Sequence, residues 1–114
     1  MSDRDQSYLE DMLTYAVDAI ELLADADAAA LAADKMRRYA VIRAVEVVGE
    51  AASKVSPGRR ASLQEVPWRA AIGMRNVLIH NYVGLELAIV ADTVRNDFPG
   101  LVKVLRGVLG DSSS

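Results

Sequence analysis

Asp34-Lys-Met-Arg-Arg-Tyr-Ala-Val-Ile-Arg-Ala-Val-Glu-Val-Val-Gly-Glu-Ala-Ala-Ser-Lys-Val55 is the stretch on which the fold turns. Met36, Tyr39, Val41, Ile42, Val45, Val48 and Ala52 recur at helical spacing and form a broad apolar stripe. The segment is therefore expected to be a helix to about Val55, and the most buried one of the chain. Asp34, a side chain able to accept from the free amides of a first turn, is placed as its N-cap. Gly49 lies inside it, where glycine costs about 1 kcal/mol relative to alanine. A close helix contact would offset that.

The same period recurs on either side. Before it, Tyr8 or Leu9, Met12, Leu13, Ala16, Ile20 and Leu23 share a face, with Glu10, Asp11, Asp18 and Glu21 largely opposite. This predicts a first helix from about Arg4 to Asp27. The alanine-rich run from Ala24 to Leu31 loses the pattern and is read as the turn. After it, Ser56-Pro57-Gly58 is a break, and Ser56 is suited to cap a short helical turn through Leu63. Pro67-Trp68 starts a third helix, since a proline near the first position lacks only an amide that would be unpaired anyway. That helix runs to about Asn81, and Gly84 interrupts it. A fourth covers roughly Glu86 to Asn96. Asp97-Phe98-Pro99 then kinks it or caps a fifth, lasting to about Leu109. The reading is an all-α, antiparallel four- to five-helix bundle: one domain over residues 1–110 and a disordered tail at 111–114.

Composition agrees. The 114 residues are 52% hydrophobic with few aromatics, which suits packed helices, and are enough for one domain. The absence of cysteine excludes a disulfide framework, a thiolate metal site and a cysteine nucleophile. Met1 to Asp11 is charged and reads as no signal peptide, and no apolar run approaches the roughly 18 to 20 residues that span a bilayer. The chain is expected to be soluble, cytoplasmic and without a membrane partner.

Net charge is −3, but it is unevenly spread. Residues 1–34 hold nine acids against one base, for −8; residues 35–75 hold nine bases against three acids, for +6; residues 76–114 hold three bases and four acids, for −1. A basic middle attracts polyanions locally, whatever the total. Equally, lysines and arginines simply solvate helix faces.

Arg75-Asn76-Val77-Leu78-Ile79-His80-Asn81-Tyr82 closes the third helix and contains the only histidine. Arginine grips phosphate through a permanent planar charge, and histidine moves protons near neutral pH. The pair suggests phosphodiester chemistry. At 100° per residue Arg75, Ile79 and Tyr82 share nearly one face, and Asn76 and His80 form a row beside it. Arg75 and His80, five apart, stand about 140° round the helix. Either the helix unwinds near His80, or the two groups converge with counterparts from another copy. Spacing alone also allows a plainer outcome: His80 as a satisfied polar group, Arg75 paired with Glu46 or Glu50, and Tyr82 in the core. A metal site finds little support, and Glu46 and Glu50 are better read as ion-pair partners of Arg43 or Arg75.

The string from Met74 to Gly84 resembles the signature of the HepT-like HEPN proteins, the RNase toxins of HepT–MntA toxin–antitoxin modules. Their Arg-x4-His-x-Tyr motif is filled by Arg75, His80 and Tyr82, with the usual polar residue after the arginine present as Asn76. Tyr8 to Met12, Arg43 to Ala51, Val66-Pro67-Trp68 and Asn96 to Pro99 are similar to the family too, so the likeness covers nearly the whole chain. Asp25 to Asp34 departs from it, as an acidic, alanine-rich first loop.

The resemblance implies a two-fold homodimer with the Arg and His of both protomers facing each other in a cleft. It implies a metal-independent endoribonuclease with no cofactor, acting on tRNA or mRNA, with Arg75 and His80 catalytic and Asn76 supporting. Tyr82 would be the residue that a cognate MntA-like minimal nucleotidyltransferase AMPylates to silence the toxin. The competing reading is a non-catalytic helical partner subunit that binds a nucleotidyltransferase or a nucleotide, and beyond it a purely structural dimer.

Overall fold

The computed structural model describes residues 3–79 and 85–110, with backbone alone at 3, 75–79, 85 and 86. These residues form seven helices: α1 (Asp3–Leu23), α2 (Ala28–Ala33), α3 (Lys35–Lys54), α4 (Pro57–Ser62), α5 (Trp68–Ile79), α6 (Leu85–Asn96) and α7 (Phe98–Leu109). No strand occurs among them. Five are long and two are short, so the all-α bundle is as the sequence predicts.

Local chemistry sets the boundaries. Asp34 caps α3, its Oδ1 accepting from the Arg37 amide at 3.0 Å. Ser56 caps α4, with Pro57 at its first position. Gly110 ends α7 in the left-handed region at φ 69, a conformation that glycine adopts without a Cβ clash. Asp97 precedes α7 but makes no side-chain capping bond.

The alanine-rich run corrects the sequence reading. α1 stops at Leu23, and the chain turns through Ala24, a non-glycine residue held at φ 50. Ala28–Ala33 is then a helix rather than part of a turn, capped by Asp27 through a 2.9 Å bond from the Ala30 amide. Alanine has the strongest helix propensity of any residue, so five of them around Leu31, with a cap, need no amphipathic pattern. Leu31 is the one large side chain in α2, and it is fully buried. Asp34 serves both helices: its amide closes α2 onto Ala30 and Leu31, and its carboxylate opens α3.

The core draws on every long helix. Leu9, Met12, Ala16 and Ala19 of α1 meet Val41, Val45, Val48 and Ala52 of α3, with Val90 of α6 and Phe98, Leu101 and Leu105 of α7, all essentially sealed from solvent. Each fully buried Val, Leu, Met or Phe contributes about 1.5–3 kcal/mol relative to exposure. Gly49 is buried on α3 as well. Two residues of the expected apolar stripe are not: Met36 is 84% exposed and Tyr39 is 59% exposed. Tyr39 stands roughly 180° round the helix from Val48, so it cannot share the core face.

Two long-range ties fix the directions of the helices. Asp5 near the start of α1 accepts from Ser56 just past the end of α3, so these two helices run antiparallel. At the other end, the Arg95 guanidinium of α6 donates to the Ala26 carbonyl at 2.8 Å, beside the end of α1. α7 begins there and packs back along α1. No described helix is long and apolar enough to cross a membrane.

Candidate ribonuclease site

α5 carries the first half of the motif, and its seating starts with Pro67 and Trp68. The Trp68 indole N–H donates to the Leu63 carbonyl at 2.9 Å, which pins the connection from α4. Val66 is buried beside it. Along α5, Ala71 and Met74 face the core, at 2% and 3% exposure. The Thr93 hydroxyl of α6 donates to the Met74 sulfur at 3.3 Å, tying the two helices side by side. Thioether sulfur is a weak acceptor, so the bond orients more than it stabilises.

Arg75 and Asn76 follow Met74 directly on α5. The backbone of both therefore continues a helix that a core residue next door seats. His80 and Tyr82 lie outside the described residues. The structure thus brings Arg75 and Asn76 together on one helix, one residue past a buried anchor.

Glu46 takes Arg43 at 3.8 Å, and Glu50 takes Lys54 at 3.6 Å. Both contacts are half-open to solvent and contribute at most about 1 kcal/mol each. Glu46 is thus an ion-pair partner, as expected. Among the described residues no group of three or more His, Cys, Asp or Glu is placed to hold a metal ion.

A separate feature escaped the sequence reading. The Asp5 carboxylate is buried and accepts two bonds from Ser56, 3.0 Å from its amide and 2.7 Å from its hydroxyl. These hydrogen bonds, helped by the positive charge of Arg59, hold its pKa below the ordinary carboxylate value of 3.8. An acid in the first turn of an exposed-looking helix gave no signal, because its partner lies 51 residues away. An open groove of about 650 Å³ also runs along α7 beside Glu65 and Pro67, floored by Gly100, Leu101 and Val104.

Comparison with known proteins decides the family. A family profile described as "Ribonuclease HepT-like" matches residues 12–108, which spans nearly the whole bundle and the complete Arg75–Tyr82 motif. The chain belongs to the ribonuclease HepT-like family. An endoribonuclease activity comes with that membership.

Relatives of the HepT-like chain agree. It is 40% identical over 104 residues to "Putative RNase MJ1380" of Methanocaldococcus jannaschii, covering 90% of this chain and 95% of that protein. It is 34% identical over 112 residues to "Putative RNase MJ0125" of the same organism, covering 97% of each. It is 40% identical over 68 residues to "Probable ribonuclease HepT" of Thermococcus cleftensis, covering 60% of this chain and 62% of that protein. No solved structure matches it.

Proposed function

We propose that this HepT-like chain is the toxin of a toxin–antitoxin pair: a metal-independent endoribonuclease, acting in the cytoplasm, whose cleavage site forms between two protomers. In this reading residues 1–110 make a single HEPN domain, and a partner nucleotidyltransferase silences it by AMPylating Tyr82. The observation that carries the reading is the unbroken Arg75-Asn76-x3-His80-x-Tyr82 pattern inside the family-matched span, opening on α5 one residue after the buried Met74.

RNA supplies its own nucleophile, the 2′-hydroxyl. His80 takes its proton, the 2′-oxygen attacks phosphorus, and the bond to the 5′-oxygen breaks as that oxygen gains a proton. A second His80 across the two-fold axis is the donor of that proton. Arg75 grips the scissile phosphate and stabilises the charge that grows on its oxygens in the transition state. Asn76 orients the imidazole or a phosphate oxygen. The products are a 2′,3′-cyclic phosphate and a 5′-hydroxyl, and the atoms balance without water or metal.

The five-residue spacing of Arg75 and His80, about 140° on an ideal helix, supports a shared site, since two copies bring facing sets together. Arg75→Ala and His80→Ala should each lower RNA cleavage by about 10²–10⁴-fold, as for loss of a charge-stabilising or proton-transferring group. Near-wild-type cleavage by a folded His80→Ala protein overturns the assignment.

A further inference from the structure

The outward face of α3 holds an aromatic side chain that the fold does not use. Tyr39 is 59% exposed and Met36, one turn before it, is 84% exposed, on a helix whose opposite face is sealed. The tyrosine ring is flanked by charge. The Lys35 ammonium sits 6.0 Å from its centroid and the Arg38 guanidinium 5.3 Å, both within cation–π range. Arg43 lies one turn further along the same side, while Arg37 and its partner Asp34 stand on the other side of the helix. The nearby carboxylates are Asp34 and Glu46, each in a 3.8 Å exposed contact with one of these arginines. On this side residues 35–46 carry Lys35, Arg38 and Arg43 against Glu46, a net of +2, in a chain whose total is −3.

We infer that this face is a docking platform for single-stranded RNA, with Tyr39 stacking on a base and Lys35 and Arg38 neutralising the phosphates beside it. An open π-face rimmed by cations is the combination that sequence-tolerant single-strand binders use. Charge complementarity favours RNA over a second copy: a two-fold pairing of this patch on itself would set lysine and arginine against lysine and arginine. The inference rests on the ribonuclease reading and deepens it, because it adds a substrate-holding surface on a helix other than α5.

The test uses the full-length protein and a fluorescein-labelled single-stranded 2′-O-methyl RNA, which has no free 2′-hydroxyl to cleave. Binding is read by fluorescence anisotropy, cleavage on the matching unmodified RNA, and molar mass by light scattering. Tyr39→Ala should weaken binding about 5- to 150-fold, the range for loss of one stacked base. Tyr39→Phe should stay within about twofold of wild type, because the ring is kept. The Lys35→Ala/Arg38→Ala double variant should flatten the salt dependence of binding by about one phosphate contact or more. In cleavage, Tyr39→Ala should raise KM with kcat nearly unchanged.

If wild type binds and cleaves RNA while Tyr39→Ala binds equally well, the platform is wrong and the ribonuclease reading stands. If Tyr39→Ala alters the molar mass, the face is an interface between copies and the platform is wrong. If wild type neither binds nor cleaves RNA, both readings fall together.

Discussion

Asp5 holds Ser56 by two hydrogen bonds, 3.0 Å from the amide and 2.7 Å from the hydroxyl, and so joins the first turn of α1 to the first turn of α4. The same hydroxyl oxygen accepts from the Arg59 amide at 3.3 Å, which makes it the cap of α4. One side chain therefore closes the α1–α3 hairpin and starts the next helix.

This latch depends on pH in a definite direction. The Asp5 pKa is lowered in the folded protein from 3.8, so the unfolded chain binds its proton more readily. Its contribution is complete above the unfolded value and fades as pH falls through the lower folded value. Asp5→Asn should be less stable than wild type at neutral pH, and the gap should shrink below about pH 4. Urea midpoints at pH 7, 5, 4 and 3.5 check it. A gap that stays constant across the series shows that Asp5 does not titrate in the latch.

Ala24 turns the chain out of α1 at φ 50. A side chain in the left-handed region costs roughly 1–2 kcal/mol, and glycine avoids this while adding some unfolded-state entropy. Ala24→Gly should stabilise the protein by about 0.5–1 kcal/mol, raising Tm by about 2–4 °C for a domain of this size. Thermal denaturation by circular dichroism measures it, and a lowered Tm contradicts the strain argument.

Much of the architecture was written in short-range chemistry. Asp34, Ser56 with Pro57, and Pro67 with Trp68 mark helix starts within one or two residues, because caps and prolines act on their own turn. The misreadings come from partners that a linear pattern does not contain. Met36 and Tyr39 are apolar at helical spacing, yet among the described residues no other helix packs over that side of α3. Residues 28–33 carry no amphipathic period, since alanine forms helix by propensity alone. Asp5 is polar at the start of a charged segment, and only the return of the chain at Ser56 explains its burial. In the motif, the order of Arg75 and Asn76 on one helix followed from spacing. Their neighbour Met74 became informative only once Thr93 was seen against it.

Metal independence separates the proposed chemistry from hydrolysis by a bound ion. With the motif supplying both charge and protons, cleavage should persist in excess EDTA at a rate within about twofold of the untreated protein, and the product should carry a 2′,3′-cyclic phosphate. End-group analysis of a labelled RNA reads both points. Loss of activity in EDTA, restored by a divalent ion, overturns the metal-free route.

Tyr82 tests the proposed silencing. Incubated with the partner nucleotidyltransferase and ATP–Mg, the wild-type chain should gain AMP on the peptide holding Tyr82 and lose RNA cleavage, since added phosphate charge and bulk repel the substrate. Tyr82→Phe lacks the accepting oxygen and should remain unmodified and active under the same conditions. Mass spectrometry alongside a cleavage assay distinguishes the outcomes. Modification elsewhere in the chain removes Tyr82 from the switch.

The Asp5–Ser56 latch also sets an order of events as the chain leaves the ribosome. α1 is synthesised before α3 and α4, yet the group that secures its opening turn comes 51 residues later. Until Ser56 emerges, Asp5 lacks the partner that accepts it into the fold. The opening turn of α1 thus waits for its tie until the residue that caps α4 has been made.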